Sequence, residues 1–249
     1  MSGQKANKNK FCAVILAAGK GTRMKSDLPK VLHEIKGKPL LRYVLDTAEE
    51  AGAEKVVVIV GHQAQQVSTR FSVSGCVFVL QEPQMGTGHA VLQAKNELVQ
   101  YPGLTVILCG DVPLLKAATI KRMVKEHLAA DALLTVLTTV APDAFGYGRI
   151  IKDAQDNIYK IAEQAEATES EKKIKEINTG IYCVTTSFLL EALGKIENKN
   201  SKQEYYLTDI VEIARGQSRK VHACLADNYV EVMGINTPEE LRRAAQYFK

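Results

Sequence analysis

The sequence has no apolar run near the roughly 20 residues that a bilayer-spanning helix requires. Its first ten residues, MSGQKANKNK, lack the apolar core of a secretory signal. Its cysteines form no pattern: Cys12, Cys76, Cys109, Cys183 and Cys224 are odd in number, far apart and mostly set inside apolar runs. That excludes a disulfide framework and reads as reduced core thiols of a cytosolic protein. None stands at zinc-ligand spacing with the scattered His33, His62, His89, His127 and His222, so no structural zinc is expected. A surplus of charge is missing too, since 32 basic against 28 acidic residues leave a formal +4, too little and too mixed for a nucleic-acid surface. Repeats are absent, as is low complexity beyond residues 1–10. The expectation is a cytoplasmic protein with no membrane or nucleic-acid partner, for which an anionic small molecule remains open.

What is present is apolar content of 46% in 249 residues, ample for one large α/β domain over residues 11–249 behind a flexible tail at 1–10. Short apolar runs alternate with segments of helical period: FCAVIL, PLLRYVLDTAEEAG, KVVVIVG, AQQVSTRF, CVFVLQ, GTGHAVLQAKNELV and LTVILCGD. In the second of these Leu41, Val44, Leu45 and Ala48 share a face, and Gly52 stands at the helix stop. This β-α-β rhythm predicts a mostly parallel sheet with helices on both faces. A helix around Thr119 to Ala130 and a strand at Leu133 to Val140 continue it. GRIIKDAQDNIYKIAE then breaks the rhythm as an inserted antiparallel hairpin turning at Asp153 to Asn157. NTGIYCV and KVHACLA read as strands, TSFLLEALGKI and YYLTDIVEIAR as helices. TPEELRRAAQYF is a closing helix with Thr237 as N-cap, Pro238 first and Glu240 as the capping-box acid.

The stretch LAAGKGTRMKSDLPKVLH, residues 16–33, follows the first predicted strand. In an open parallel sheet ligands bind outside the carboxyl ends of strands, which is where Leu16, Ala17, Ala18 and Gly19 fall. Gly19 and Gly21 let backbone N–H groups approach an oxygen, and Lys20, Arg23, Lys25 and Lys30 face one acid, Asp27. The combination suits a polyphosphate. A Walker A loop needs a further glycine upstream, where apolar strand residues stand, and a Rossmann fingerprint needs glycine at Met24. The loop belongs to a third type.

This segment resembles the signature of sugar-phosphate nucleotidyltransferases, an apolar strand followed by G-x-G-T-R-M and L-P-K. In its longer form it is similar to the N-terminal uridyltransferase domain of the bacterial N-acetylglucosamine-1-phosphate uridyltransferases. Further matches in order are QEPQMGTGHA at 81–90, GDVPLL at 110–115, GYGRI at 146–150, EQAEAT from Glu163, EINTG at 176–180, EYYLTDIV at 204–211 and GIN at 234–236. The resemblance implies a Rossmann-like nucleotidyltransferase fold, UTP and N-acetylglucosamine 1-phosphate as substrates and Mg²⁺ as cofactor. It implies Lys30 on the α-phosphate, Arg23 on the pyrophosphate end, and Asp111, beside Gly110, paired with Asn236 as metal ligands. Gln81 would read the uracil edge, with Gly86 and Thr87 in close backbone approach, and Gly148, Glu163, Asn178 and Asn236 would surround the sugar.

From the residues alone several of these positions stay open. Asp111 and Asn236 fit turn or helix caps, Gly-Thr-Gly fits a plain helix start, and Glu163 fits a surface charge. Lys20 and Lys25 are either ligands or solvated, and Tyr206 and Thr208 either line the sugar pocket or pack a helix start. The flanking EPQM differs from commoner versions of its loop, which leaves thymine beside uracil, and another sugar 1-phosphate beside N-acetylglucosamine 1-phosphate. No hexapeptide repeat is present, so a β-helix acetyltransferase domain and acetyl-CoA are not expected, and a monomer or weak oligomer is the default.

Overall fold

In a computed structural model, residues 10–248 are described; nine of the ten residues expected as a tail, and Lys249, lie outside them. β1 (Phe11–Ala17) is apolar on both faces because it runs through the middle of the sheet, flanked in parallel by β4 (Ala53–Val60) and β6 (Leu104–Cys109). β5 (Val77–Leu80) extends the parallel side beyond β4. On the other side β6 meets β10 (Glu176–Thr185), β10 meets β7 (Leu134–Val140), and β7 pairs in parallel with β11 (Val221–Leu225). The order is β11-β7-β10-β6-β1-β4-β5. β8 (Arg149–Lys152) and β9 (Ile158–Ala162) form the expected antiparallel hairpin, joined to β10 through Arg149 and Ile177. The short strands β2 (Glu34–Ile35) and β3 (Lys38–Pro39) make a separate ribbon.

The two faces of β1 feed different cores. Ala13 and Ile15 pack with Leu41, Val44 and Leu45 of α1 (Leu40–Ala51), Val67 of α2 (Ala64–Arg70), and Ile120 and Met123 of α5 (Ala117–Ala129). Cys12 and Val14 pack with Val91 of α3 (Thr87–Gln93), Leu98 of α4 (Lys95–Val99), Phe188 and Leu189 of α6 (Thr186–Leu193), and Val211 of α7 (Ile210–Gly216). Helices therefore cover both faces of a mostly parallel sheet, as the alternating runs require. α1 ends at Gly52, left-handed at φ 103°. The five cysteines are free thiols, and among the described residues no helix is long and apolar enough to cross a membrane.

Three features depart from the sequence pattern. β10 runs antiparallel to both neighbours, because it follows a hairpin rather than a crossover helix. The segment GTGHAVLQAKNELV breaks at Ala94 into α3 and α4. YYLTDIVEIAR starts as helix only at Leu207, through a 3₁₀ turn; Tyr206 is extended at φ −81° and ψ 124° because this stretch is stitched to residues 85–88.

α8 (Pro238–Ala245) carries the capping box in full: Thr237 Oγ1 accepts from Glu240 N at 3.2 Å, and Glu240 Oε2 accepts from Thr237 N at 3.0 Å. Thr237→Ala is expected to lower the unfolding free energy by about 1 kcal/mol, read from the midpoint of chemical denaturation.

Candidate active site

A cleft of about 620 Å³ opens at the carboxyl ends of β1 and β6 and is lined by Leu16, Ala17, Ala18, Gly19, Lys20, Lys30, Gln81, Gly86, Thr87, Asp111 and Glu163 among others. Gly110 sits under its floor, its N–H donating to Leu16 O at 2.9 Å. Gly19 has nothing within 4 Å of where a Cβ would stand, so its backbone is bare. Gly21 is different: it is left-handed at φ 62°, and a Cβ there would lie 2.7 Å from the Cβ of Lys30. Its freedom lets the lysine stem pass. Lys20 lines the cleft, whereas Lys25 and Arg23 are exposed outside its lining, Arg23 on a 3₁₀ turn anchored by buried Met24.

Lys30 begins a second 3₁₀ turn after Pro29, with Val31 and Leu32 buried behind it. Its ammonium pairs with the Asp111 carboxylate and donates to Asn236 Oδ1 at 3.1 Å. Lys30 and Asp111 are each only 17% exposed, so the pair is partly shielded from water. Asn236 is brought here by a backbone bond from Ile235 N to Asp111 O at 2.9 Å. The capping acid Glu240 also accepts from Asn236 N, at 2.6 Å, so the cap of α8 and the placement of Asn236 are one structure.

At the next wall Gln81 is 4% exposed, its backbone N–H on Val60 O at 2.7 Å. The side-chain nitrogen serves Gly86 O at 2.9 Å and lies 3.2 Å from His89 Nδ1, which leaves the amide oxygen for a ligand. Burial holds His89 below the usual histidine range, favouring its neutral form. Gly86, at φ 104°, is dictated by the protein's own backbone, since a Cβ would meet Tyr205 O at 2.6 Å. Tyr205 N donates to Met85 O and Gly88 N to Tyr205 O, both at 2.8 Å, and Leu207 N donates to Thr87 Oγ1 at 3.0 Å.

Gly148, Glu163 and Asn178 also meet. Asn178 N donates to Gly148 O at 2.9 Å, and a Cβ on Gly148 would stand 2.7 Å from Ile161 and 3.4 Å from Glu163 Oε1. The Asn178 side chain is already engaged, donating to Tyr182 Oη at 2.7 Å and accepting from Gly180 N at 3.0 Å, and so it shapes the bulge in β10. Burial raises the pKa of Glu163. Glu163 and Tyr206 join the cleft to a second cavity of about 420 Å³, which Thr208 and Asp209 also line. Tyr206 Oη is buried there without a hydrogen-bond partner, and the Thr208 hydroxyl stands beside the Glu163 carboxyl, whose negative form it favours against the effect of burial.

Several lining residues have no counterpart among the expected site residues, the polar ones being Gln84, Lys202 and Glu204. Gln84 donates to Ala18 O at 2.7 Å and braces the phosphate loop; its signal was an amide three places after Gln81. Lys202 lies in the polar run ENKNSKQ, where nothing marks one lysine from another.

The profile of the MobA-like NTP transferase domain matches residues 13–177. The chain belongs to that family. Within it, the chain is 47% identical to the bifunctional protein GlmU of Trichlorobacter lovleyi over 95% of this chain and 52% of the relative. It is 46% identical to that of Geotalea uraniireducens, over 97% and 53%, so it spans about half the length of these two relatives. The GlmU of Desulfotalea psychrophila is 44% identical over 95% of this chain and 70% of the relative. Among solved structures, a UDP-glucose pyrophosphorylase complexed with UDP-glucose superposes with a TM-score of 0.74 at 19% identity, covering 95% of this chain and 97% of that one. HddC from Yersinia pseudotuberculosis complexed with GMP-PN gives 0.69 at 21%, covering 96% and 100%. These two show the nucleotidyltransferase fold.

The pKa of Asp209, in the second cavity, is pushed up to about 6, by burial first and then by the charges of Glu212 and Glu163. A carboxyl whose folded pKa exceeds its unfolded value of about 3.9 favours folding below that value and loses this contribution as pH rises through the folded pKa. Asp209 makes no side-chain cap bond to α7. The thermal midpoint of Asp209→Asn is therefore expected to gain on the parent between about pH 4 and pH 6, as melts across that range would show.

Proposed function

We propose that the chain transfers UMP from UTP to N-acetylglucosamine 1-phosphate, releasing pyrophosphate and forming UDP-N-acetylglucosamine in the cytoplasm, a precursor-forming step of cell-wall synthesis. The supporting observation is that Lys30 and Asp111, joined to Asn236, line a cleft that Gln81, Glu163 and Tyr206 also line. The relatives named GlmU and the sequence resemblance support the choice of substrates.

The second pKa of a phosphate monoester is about 6, so the acceptor is largely ionised at neutral pH and needs no strong base. Its oxygen attacks the α-phosphorus of UTP, the new P–O bond forms as the α–β bridge breaks, and pyrophosphate leaves in line. The protein's task is alignment and neutralisation. Lys30, on a turn pinned by Pro29, offers its ammonium to the α-phosphate; Arg23 and Lys20 lie on the loop that would carry the pyrophosphate end. Gln81 presents its amide oxygen to the base, and Glu163 with the Tyr206 hydroxyl takes the sugar.

The donor set fits a hard divalent cation. Asp111 and Asn236 oxygens already share one cation, the Lys30 ammonium. Among the described residues no three acidic, histidine or cysteine side chains converge, so water and phosphates would complete the shell. When bound, Mg²⁺ would supply positive charge against phosphate oxygens, with Asp111 and Asn236 as its protein ligands, in a chain proposed to act as a monomer or weak oligomer.

Pyrophosphate release is expected to require both substrates and to cease with a chelator. Lys30→Ala should lower kcat/KM by about 10²- to 10³-fold, as removal of one preorganised charge does, with the circular dichroism spectrum unchanged. Full activity in that variant would overturn the mechanism. In a substrate panel, UTP should exceed dTTP, and N-acetylglucosamine 1-phosphate should exceed glucose 1-phosphate, by about tenfold or more in kcat/KM.

A further inference from the structure

Three lysines line the cleft among the described residues, Lys20, Lys30 and Lys202. Lys20 rises from the phosphate loop, and Lys30 is gathered to the Asp111 and Asn236 end. Lys202 comes from a separate segment, the turn that precedes Tyr205 and Tyr206. Glu163 and Glu204 line the same cleft and oppose the approach of any anion there. Lysines of the adjoining cavity do not relieve this, because each is paired elsewhere: Lys160 with Glu171 at 2.8 Å, Lys195 with Glu191 at 2.5 Å and Lys199 with Glu197 at 2.9 Å. The Lys202 ammonium makes no direct ion pair among the described residues, although its charge reaches the Glu163 and Glu166 carboxylates.

The turn that carries Lys202 is held from two sides. Asn200 Oδ1 accepts from Lys202 N at 3.2 Å and from Glu204 N at 3.1 Å, while Gln203 sits left-handed at φ 55°. Ser201 donates to Glu166 Oε1 through its N–H at 3.1 Å and its hydroxyl at 2.5 Å, fastening the turn to the segment after β9. An exposed lysine would need no such support as a solubilising charge; a lysine that must stand at one height beside a substrate would.

From this placement we infer that Lys202 is the cation that receives the phosphate of the incoming sugar 1-phosphate, leaving Lys30 to the phosphate under attack. The inference rests on the proposed reaction and divides its two anions between two segments. A dianionic acceptor approaching a triphosphate is repelled by it and by the sugar-side carboxylates, and a cation beside the acceptor offsets both. The contact forms with the attacking phosphate and not with the leaving pyrophosphate.

The test is steady-state kinetics of Lys202→Gln and Lys202→Arg beside the parent, with UTP affinity measured separately by calorimetry. Lys202→Gln should raise the KM for N-acetylglucosamine 1-phosphate about 10- to 100-fold, the usual worth of one charge-assisted hydrogen bond, with the Kd of UTP unchanged. Lys202→Arg should recover most of the loss. In the reverse direction the KM for pyrophosphate should not move. An acceptor KM within twofold of the parent would overturn the inference, as would a rise in the Kd of UTP equal to the rise in acceptor KM. A parent that forms no UDP-sugar would instead overturn the proposed reaction, so the two failures are distinct.

Discussion

The ammonium of Lys30 is the point on which the site is hung. It joins Asp111, 81 residues away, and Asn236, 206 residues away, so the loop after β1, the end of β6 and the turn before α8 share one polar contact. A half-buried carboxylate without a cation is costly, and removing either partner leaves the other charge poorly solvated. Much of the surrounding detail serves this junction. Gly21 clears the path of the lysine stem, Pro29 sets the entry to its turn, and Glu240 holds the backbone of Asn236 while it caps the helix. The same cation that completes the free site is the one assigned to the substrate phosphate, so ligand binding is an exchange of partners rather than the creation of a new charge.

The rest of the cleft is built by joining walls that are distant in sequence. The loop bearing Gln81 is bonded to Tyr205 through both Met85 and Gly88, and Tyr206 follows at once into the cavity shared with Glu163. The Gln81 amide and the Tyr206 hydroxyl therefore stand on two segments of one bonded ribbon. Displacing either segment costs backbone hydrogen bonds, which favours one fixed spacing between the two ends of the ligand.

Much of this was legible in the sequence, for stated reasons. Strand and helix alternation shows in periodicity, the polar turn at Asp153 to Asn157 marks the hairpin, and Thr237, Pro238 and Glu240 spell the last cap because capping is local chemistry. The resemblance brought Asp111 and Asn236 together where spacing alone could not, and the structure places them on one ammonium. What stayed hidden depends on tertiary contact. The reversal of β10 is a matter of pairing, which a period of two does not encode. Tyr205 was read as helical because its apolar ring fits that pattern, whereas its backbone is claimed by residues 85–88. Gly86 is required by that same contact, a reason no single loop could reveal. The engaged amide of Asn178 and the position of Lys202 likewise belong to the assembled molecule.

The last helix has a consequence for stability as well as for geometry. α8 buries one residue fully, Ala244, and packs on a small cluster around Ile35, Leu40, Met233 and Ile235, apart from the two main cores. Elements with so little apolar burial open at a lower free energy than the sheet they lean on. Because Glu240 ties its first turn to Asn236, each such opening removes one backbone anchor of Asn236 and leaves the bond from Ile235 N to Asp111 O as the other. The two residues that Lys30 joins thus rest on supports of unequal stability, Asp111 at the end of β6 and Asn236 before a lightly buried helix.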